Sequence, residues 1–192
     1  IGVNTFTCQN CEYKDLTFDS IDNSIWITRD IPQTTTNYKF DDIRIMNGKI
    51  YGIYFEYGDG DILSNIHIIN TSYPIRFSGS GDSTSNQIID GLFIKKSYGY
   101  GISSTPEHIG SNVVISNFII ENITLKDDVA GGIFLNGKNT SDFSFSDGLI
   151  TLINGSGITS GSNKIKFTNI KVSNATTGVL ISTSSLDNEL YQ

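Results

Sequence analysis

Asp82, Glu107 and His108 are the side chains in this sequence best suited to acid–base chemistry. Asp82 and Glu107 fall in successive Gly/Ser/Thr-rich stretches that read as loops, with His108 beside them. Two carboxylates ~5 to ~9 Å apart are what hydrolysis of a glycosidic bond requires, and a neighbouring histidine supplies a general base. Elimination instead needs a base and a group that neutralises a uronate. Glu56, Asp59 and Asp61 form a second acidic group, and Lys126-Asp127-Asp128 a third. Solubilising surface charge is the competing reading for all three. Trp26, Tyr54 and Arg76 offer a different chemistry: aromatic rings stack on sugar faces, and a guanidinium clamps the carboxylate of an acidic saccharide. Rings packed against a neighbouring chain are the alternative there.

These residues act together only if the chain repeats, and it does. Lys164 to Ile181 holds the pattern in its plainest form. Apolar residues stand two apart in three short runs, Ile165/Phe167, Ile170/Val172 and Val179/Ile181, which is strand periodicity. The central run recurs from Leu16, Ile43, Ile66, Leu92, Phe118, Leu149 or Ile150, and Ile170, at a period of about 26 residues. A Gly-Ile or similar pair opens the third run each time, as at Gly52-Ile53, Gly101-Ile102, Gly132-Ile133 and Gly178-Val179. The sequence predicts one all-β domain over residues 1–192, a parallel β-solenoid of about seven rungs with three short strands each. A β-sandwich also has many short strands. It does not explain why one three-strand order recurs, nor why Asn47, Asn70, Asn122, Asn154 and Asn174 all fall at one turn, where asparagine tolerates left-handed backbone angles.

Stacking ~4.8 Å apart aligns equivalent residues into columns. Outward on the third strands run Trp26, Tyr54, Arg76, Ser103, Phe134, Thr159 and Leu180. Outward on the first strands run Glu12, Lys39, Ile62, Ile88, Val114, Ser144 and Lys166, and the second strands add Phe93 and Ile119. Contiguous aliphatics at Ile62, Ile88 and Val114 predict a covered face, either a homotrimer interface with Phe93 and Ile119 or a surface under a loop.

A formal net charge of -7 and a pI near 4.6 argue against a nucleic-acid partner. No apolar run reaches the ~18 residues of a membrane span, which argues against membrane insertion. Cys8 and Cys11 form the single C-x-x-C. Two cysteines with distant histidines do not make a metal site, so no metal and no cofactor are expected, and Cys11 reads as a small buried hydrophobe. A disulfide or redox role for the pair stays open. Four of the turn asparagines, Asn70, Asn122, Asn154 and Asn174, also read as glycosylation acceptors, but a side-chain ladder explains them without sugars.

The three-strand rung with its asparagine bend resembles the right-handed, single-stranded parallel β-helix of the pectate lyase superfamily. The resemblance covers essentially the whole chain and rests on repeat architecture. The Gly-His-Gly and Arg-Ile-Lys motifs of the polygalacturonase branch are absent; Asp41-Asp42 and Asp127-Asp128 supply only its Asp-Asp. Ser/Asn/Gly-rich loops with sparse catalytic motifs look most like a segment of a phage tailspike or tail fibre. That likeness implies a virion-tail or extracellular homotrimer, joined to other virion tail proteins, that binds and in many cases depolymerises a bacterial surface polysaccharide. A secreted microbial polysaccharide lyase or glycoside hydrolase is the alternative. Ile1-Gly2-Val3 matches the start of a third strand, and a polar tail follows Ile181. A segment of a longer polypeptide, beginning and ending in mid-repeat, is therefore expected.

Overall fold

Alternation in steps of two puts one face of each strand inside the coil, and left-handed residues turn the chain at three places per rung. The computed structural model describes residues 2–5, 10–28, 36–78, 84–106, 109–124, 131–136, 139–140, 142–152, 154–162, 164–181 and 189–191. Three parallel sheets stack along the solenoid. The long-strand sheet joins Glu12–Asp19, Lys39–Met46, Ile62–Ile69, Ile88–Lys95, Val113–Ile123, Phe143–Leu152, Ile165–Ser173 and Glu189–Tyr191. The short-strand sheet joins Val3–Asn4, Asn23–Ile27, Tyr51–Phe55, Tyr73–Phe77, Tyr100–Ser104, Gly131–Leu135, Ser156–Ser160 and Thr177–Ile181. A third sheet holds Gly58–Asp59, Thr84–Ser85, Ile109–Ser111 and Asn139–Thr140.

This is the expected all-β parallel solenoid, and it differs from expectation in detail. The third sheet has four strands against eight in each of the others, so rungs near the ends are not three-sided among the described residues. The first and central runs predicted separately are one bent strand, and the third sheet forms from residues expected to be loop. The polar tail returns at Glu189–Tyr191 to pair with Ile165–Ser173.

The bends explain the fusion. One column of positive-φ residues lies inside the long strands: Asp15, Asp42, Asn65, Gly91, Asn117, Asp147 and Asn169. Strand pairing skips these positions, running from Asp41↔Ser64 to Ile43↔Ile66. A second column precedes the long strands at Asn10, Asn37, Gly60, Asn86, Asn112, Asp142 and Lys164. A third follows them at Ser20, Asn47, Asn70, Lys96, Asn122 and Asn174, and the expected Asn154 is not among the left-handed residues. Asn, Asp and Gly dominate because they bear left-handed angles at least cost.

The side-chain ladder is present. Asn70 Nδ2 donates to Asn47 Oδ1 at 2.7 Å, and Asn37 Nδ2 to Asn10 Oδ1 at 3.1 Å. Elsewhere an asparagine amide reaches an aspartate one rung back, Asn117 to Asp90 at 2.7 Å and Asn169 to Asp147 at 2.8 Å.

Inside, like stacks on like. Phe55 and Phe77 rings lie 4.7 Å apart, Phe145 and Phe167 5.2 Å, between columns of buried isoleucine. Gly148 is the exception in its column, paired with Phe118. It is the true inward position where Leu149 or Ile150 was expected to start the strand. Cys11 also departs from expectation: it is disulfide-bonded and half-buried, not a free buried hydrophobe. The sequence's other cysteine, Cys8, lies outside the described residues.

Candidate functional site

The short-strand sheet reproduces the register of the expected outward column. Register aligns Trp26, Tyr54, Arg76, Ser103, Phe134, Thr159 and Leu180 in one column. Trp26 and Tyr54 meet edge to face with centroids 5.4 Å apart. A parallel column of tyrosines, which sequence reasoning missed, lies beside it: Tyr51 pairs with Tyr73, and Tyr100 opens the next strand. Tyr51 packs 4.7 Å from Tyr54 and 5.7 Å from Tyr73, and Tyr100 stacks 4.3 Å from Phe134. The available signal was the tyrosine two residues before each inward isoleucine, at Tyr51-x-Ile53, Tyr73-x-Ile75 and Tyr100-x-Ile102. Strict two-residue alternation would turn these positions inward with the isoleucines, yet their rings lie against Tyr54 and Phe134 of the outward column.

Arg76 sits within this strip. Its guanidinium lies 5.3 Å over the Tyr73 ring and its Nη1 donates to Ser103 Oγ at 3.3 Å. Its Nε is buried with no hydrogen-bond partner, and no carboxylate pairs with it among the described residues. Ser103, expected to face outward to solvent, is fully covered. At the other end of the strip Glu56 accepts from Trp26 Nε1 at 2.9 Å and from Thr28 Oγ1 at 3.1 Å. The acid holds the indole in place.

Burial pushes the Tyr54 and Tyr100 hydroxyls above the usual phenol range, with small further upward pushes from Glu56 on Tyr54 and from Tyr73 on Tyr100. Ser78, hydrogen-bonded to Tyr54, and the Arg76 charge near both work the other way. Both rings are therefore neutral at physiological pH, presenting π-faces and hydroxyls.

The expected apolar face lies on the long-strand sheet. Ile62, Ile88 and Val114 occupy one column and are each about 40% exposed. Phe93 pairs with Ile119 in the neighbouring column, where Ile119 is exposed and Phe93 is partly covered by His67, 5.6 Å away, and Lys95. A shallow cavity of about 410 Å³ adjoins Ile119 and Leu149.

Asp82, Glu107 and His108, and the Lys126-Asp127-Asp128 cluster, lie outside the described residues. Asp61, placed on a loop by sequence, is instead fully buried inside the coil. Its Oδ1 accepts from Thr36 Oγ1 at 2.6 Å and from the Tyr38 N–H at 2.9 Å. Burial raises its pKa against those bonds, so it serves the fold and not a surface reaction.

The fold and this face define the class: a parallel β-solenoid bearing an aromatic strip with an unpaired guanidinium. Comparison with known proteins finds no match for this chain, neither a family model nor a curated protein nor a solved structure.

Proposed function

We propose that this chain is a saccharide-binding β-solenoid, of the tailspike or tail-fibre kind, that attaches to a bacterial cell-surface polysaccharide. The observation that carries the reading is the outward strip of Trp26, Tyr51, Tyr54, Tyr73, Tyr100 and Phe134 around Arg76. Half-buried rings held rigid by their neighbours lose little entropy when a sugar face covers them. A strip running along the solenoid axis suits a polymer, because successive rungs offer successive contacts. The disulfide at Cys11 supports an oxidising, extracellular or virion setting.

The apolar column of Ile62, Ile88 and Val114, with Phe93 and Ile119, is in this reading the surface through which three copies associate. It lies on a different sheet from the aromatic strip, so association leaves the strip open. Cleavage of the bound polymer rests in this reading on Asp82, Glu107 and His108.

The test is to incubate the protein with purified surface polysaccharides and follow both retention and polymer length. Retention that falls about tenfold or more in Trp26→Ala or Tyr54→Ala supports the binding site. Shortening of the polymer, abolished by Asp82→Asn or Glu107→Gln, establishes depolymerisation. No retention of any polymer by the wild type overturns the reading.

A further inference from the structure

One corner column of the solenoid carries an asparagine ladder that is interrupted once. Backbone hydrogen bonds link Ser20, Asn47, Asn70, Lys96 and Asn122 in sequence: each of the first four donates its N–H to the carbonyl just before the next, as Asn70 does to Lys95 and Lys96 to Glu121. Side chains follow the same path from Asn70 to Asn47. At the next rung stands Lys96, whose backbone takes the left-handed angle of its neighbours (φ 55°) but whose side chain gives Asn70 no amide. Asn70 Oδ1 and the Asn122 amide both lack a hydrogen-bond partner among the described residues.

The break opens a cavity of about 390 Å³ lined by Asn70, Lys96, Tyr98, Asn122 and Thr124. Its walls are fixed: Tyr98 N–H bonds to Thr71 O, Gly99 N–H to Thr124 O, and Thr124 N–H to Ser97 O. Tyr98 is 45% exposed, so its ring is available. The Lys96 ammonium has no acid. Glu121, whose backbone carbonyl accepts from the Lys96 N–H, has its carboxylate held by Lys95 at 3.4 Å, and Lys96 has no ion pair among the described residues. The notch also borders the aromatic strip: a side chain built at Gly99 would stand 3.6 Å from the Tyr73 ring, and Tyr73 in turn carries the Arg76 guanidinium.

We infer that the Lys96 notch is a second saccharide subsite, and that it selects an acidic polysaccharide by taking the carboxylate of one sugar while Arg76 faces another. The inference rests on the saccharide-binding reading above and adds its substrate class. An ammonium and the free amide of Asn122 answer a carboxylate, Asn70 Oδ1 accepts from a ring hydroxyl, and Tyr98 offers an apolar face. Two cations without counter-ions among the described residues, on neighbouring rungs of a chain with net charge -7, leave a local positive path on an otherwise acidic molecule.

The experiment measures binding of the full chain to alginate, hyaluronate and polysialic acid, and to the same polymers with their carboxyl groups reduced to alcohols. The variants are Lys96→Gln, Lys96→Asn and Trp26→Ala. Lys96→Asn restores the ladder, so it is expected to melt no lower than the wild type and to separate binding from folding. Expected is a loss of about tenfold for an acidic polymer in both Lys96 variants, a comparable loss on carboxyl reduction in the wild type, and a smaller salt dependence in the variants. Reduced polymers that bind as tightly as acidic ones, or Lys96 variants that bind like the wild type while Trp26→Ala is weakened, overturn the acidic subsite and leave the binding strip standing. A wild type that retains no polymer of either set overturns both.

Discussion

The ring of Phe118 fills the space that a side chain on Gly148 would occupy one rung further on. The column Leu16, Ile43, Ile66, Leu92, Phe118, Gly148, Ile170 carries a large side chain everywhere but at Gly148, and the Phe118 ring needs that gap.

Gly148→Ala is therefore expected to destabilise the fold although alanine suits a strand no worse than glycine. The added methyl meets a buried aromatic ring flanked by Phe145, 6.2 Å away. Overpacking of this kind costs about 1–3 kcal/mol. Thermal or urea melts read the loss, and Phe118→Leu in the same background is expected to recover part of it. An unchanged melting temperature in Gly148→Ala contradicts the packing.

Asp61 gives the solenoid a pH dependence of identifiable sign. Burial raises its pKa in the folded state, against the pull of Thr36, the Tyr38 N–H and Gln87. A raised carboxyl pKa means that its stabilising share is complete below the unfolded value near 3.8 and is lost as pH climbs through the folded value. Asp19, Asp41 and Asp90 act oppositely: hydrogen bonds from Asn47 and Ser20, from Ser64 and Asn65, and from Ser116 and Asn117 hold their pKa values down, so their share is lost as pH falls. Asp61→Asn keeps an Oδ1 for Thr36 and Tyr38 but cannot ionise. Its melting temperature relative to the wild type is expected to rise as pH increases from about 4 towards neutrality. A constant difference across that range contradicts the buried-acid account.

Much of this was legible from the two-residue period. The columns Trp26-Tyr54-Arg76 and Ile62-Ile88-Val114 follow from counting along strands whose inward residues are isoleucine and phenylalanine, and the register reproduces them. Asp61 was not legible, because nothing local distinguishes an acid on a loop from one turned inside to accept from Thr36 and Tyr38 one rung away. Gly148 was missed because a glycine carries no hydrophobic signal, and its partner, Phe118, stands thirty positions earlier. The Lys96 notch depends on what is missing from a ladder. That is visible only after the corner asparagines have been aligned in space.

Trp26 is the chain's one tryptophan, so its fluorescence reports the aromatic strip without a label. Its Nε1 is tied to Glu56 and its ring edge meets Tyr54. Saturating saccharide is expected to shift its emission to shorter wavelength as the sugar displaces water. Glu56→Gln, which keeps an acceptor for the indole, is expected to bind within about threefold of the wild type, whereas Glu56→Ala frees the ring and weakens binding more. Emission that does not respond to a polymer retained on a column places that polymer elsewhere on the molecule.

The apolar column makes the last prediction. Ile62, Ile88 and Val114 lie on neighbouring rungs about 4.8 Å apart, with Ile119 beside Val114's strand position, and each is more than a third exposed. A lysine at the centre of such a column disrupts any surface that packs on it, because a buried ammonium without a partner is costly. Ile88→Lys points outward, so it leaves the coil's own core untouched and is expected to melt within about 0.5 kcal/mol of the wild type. In sedimentation equilibrium the wild type is expected at three times the chain mass and Ile88→Lys at one. A wild type that sediments as a monomer at high concentration removes the trimer from the proposal, and a variant that stays associated moves the interface off this column.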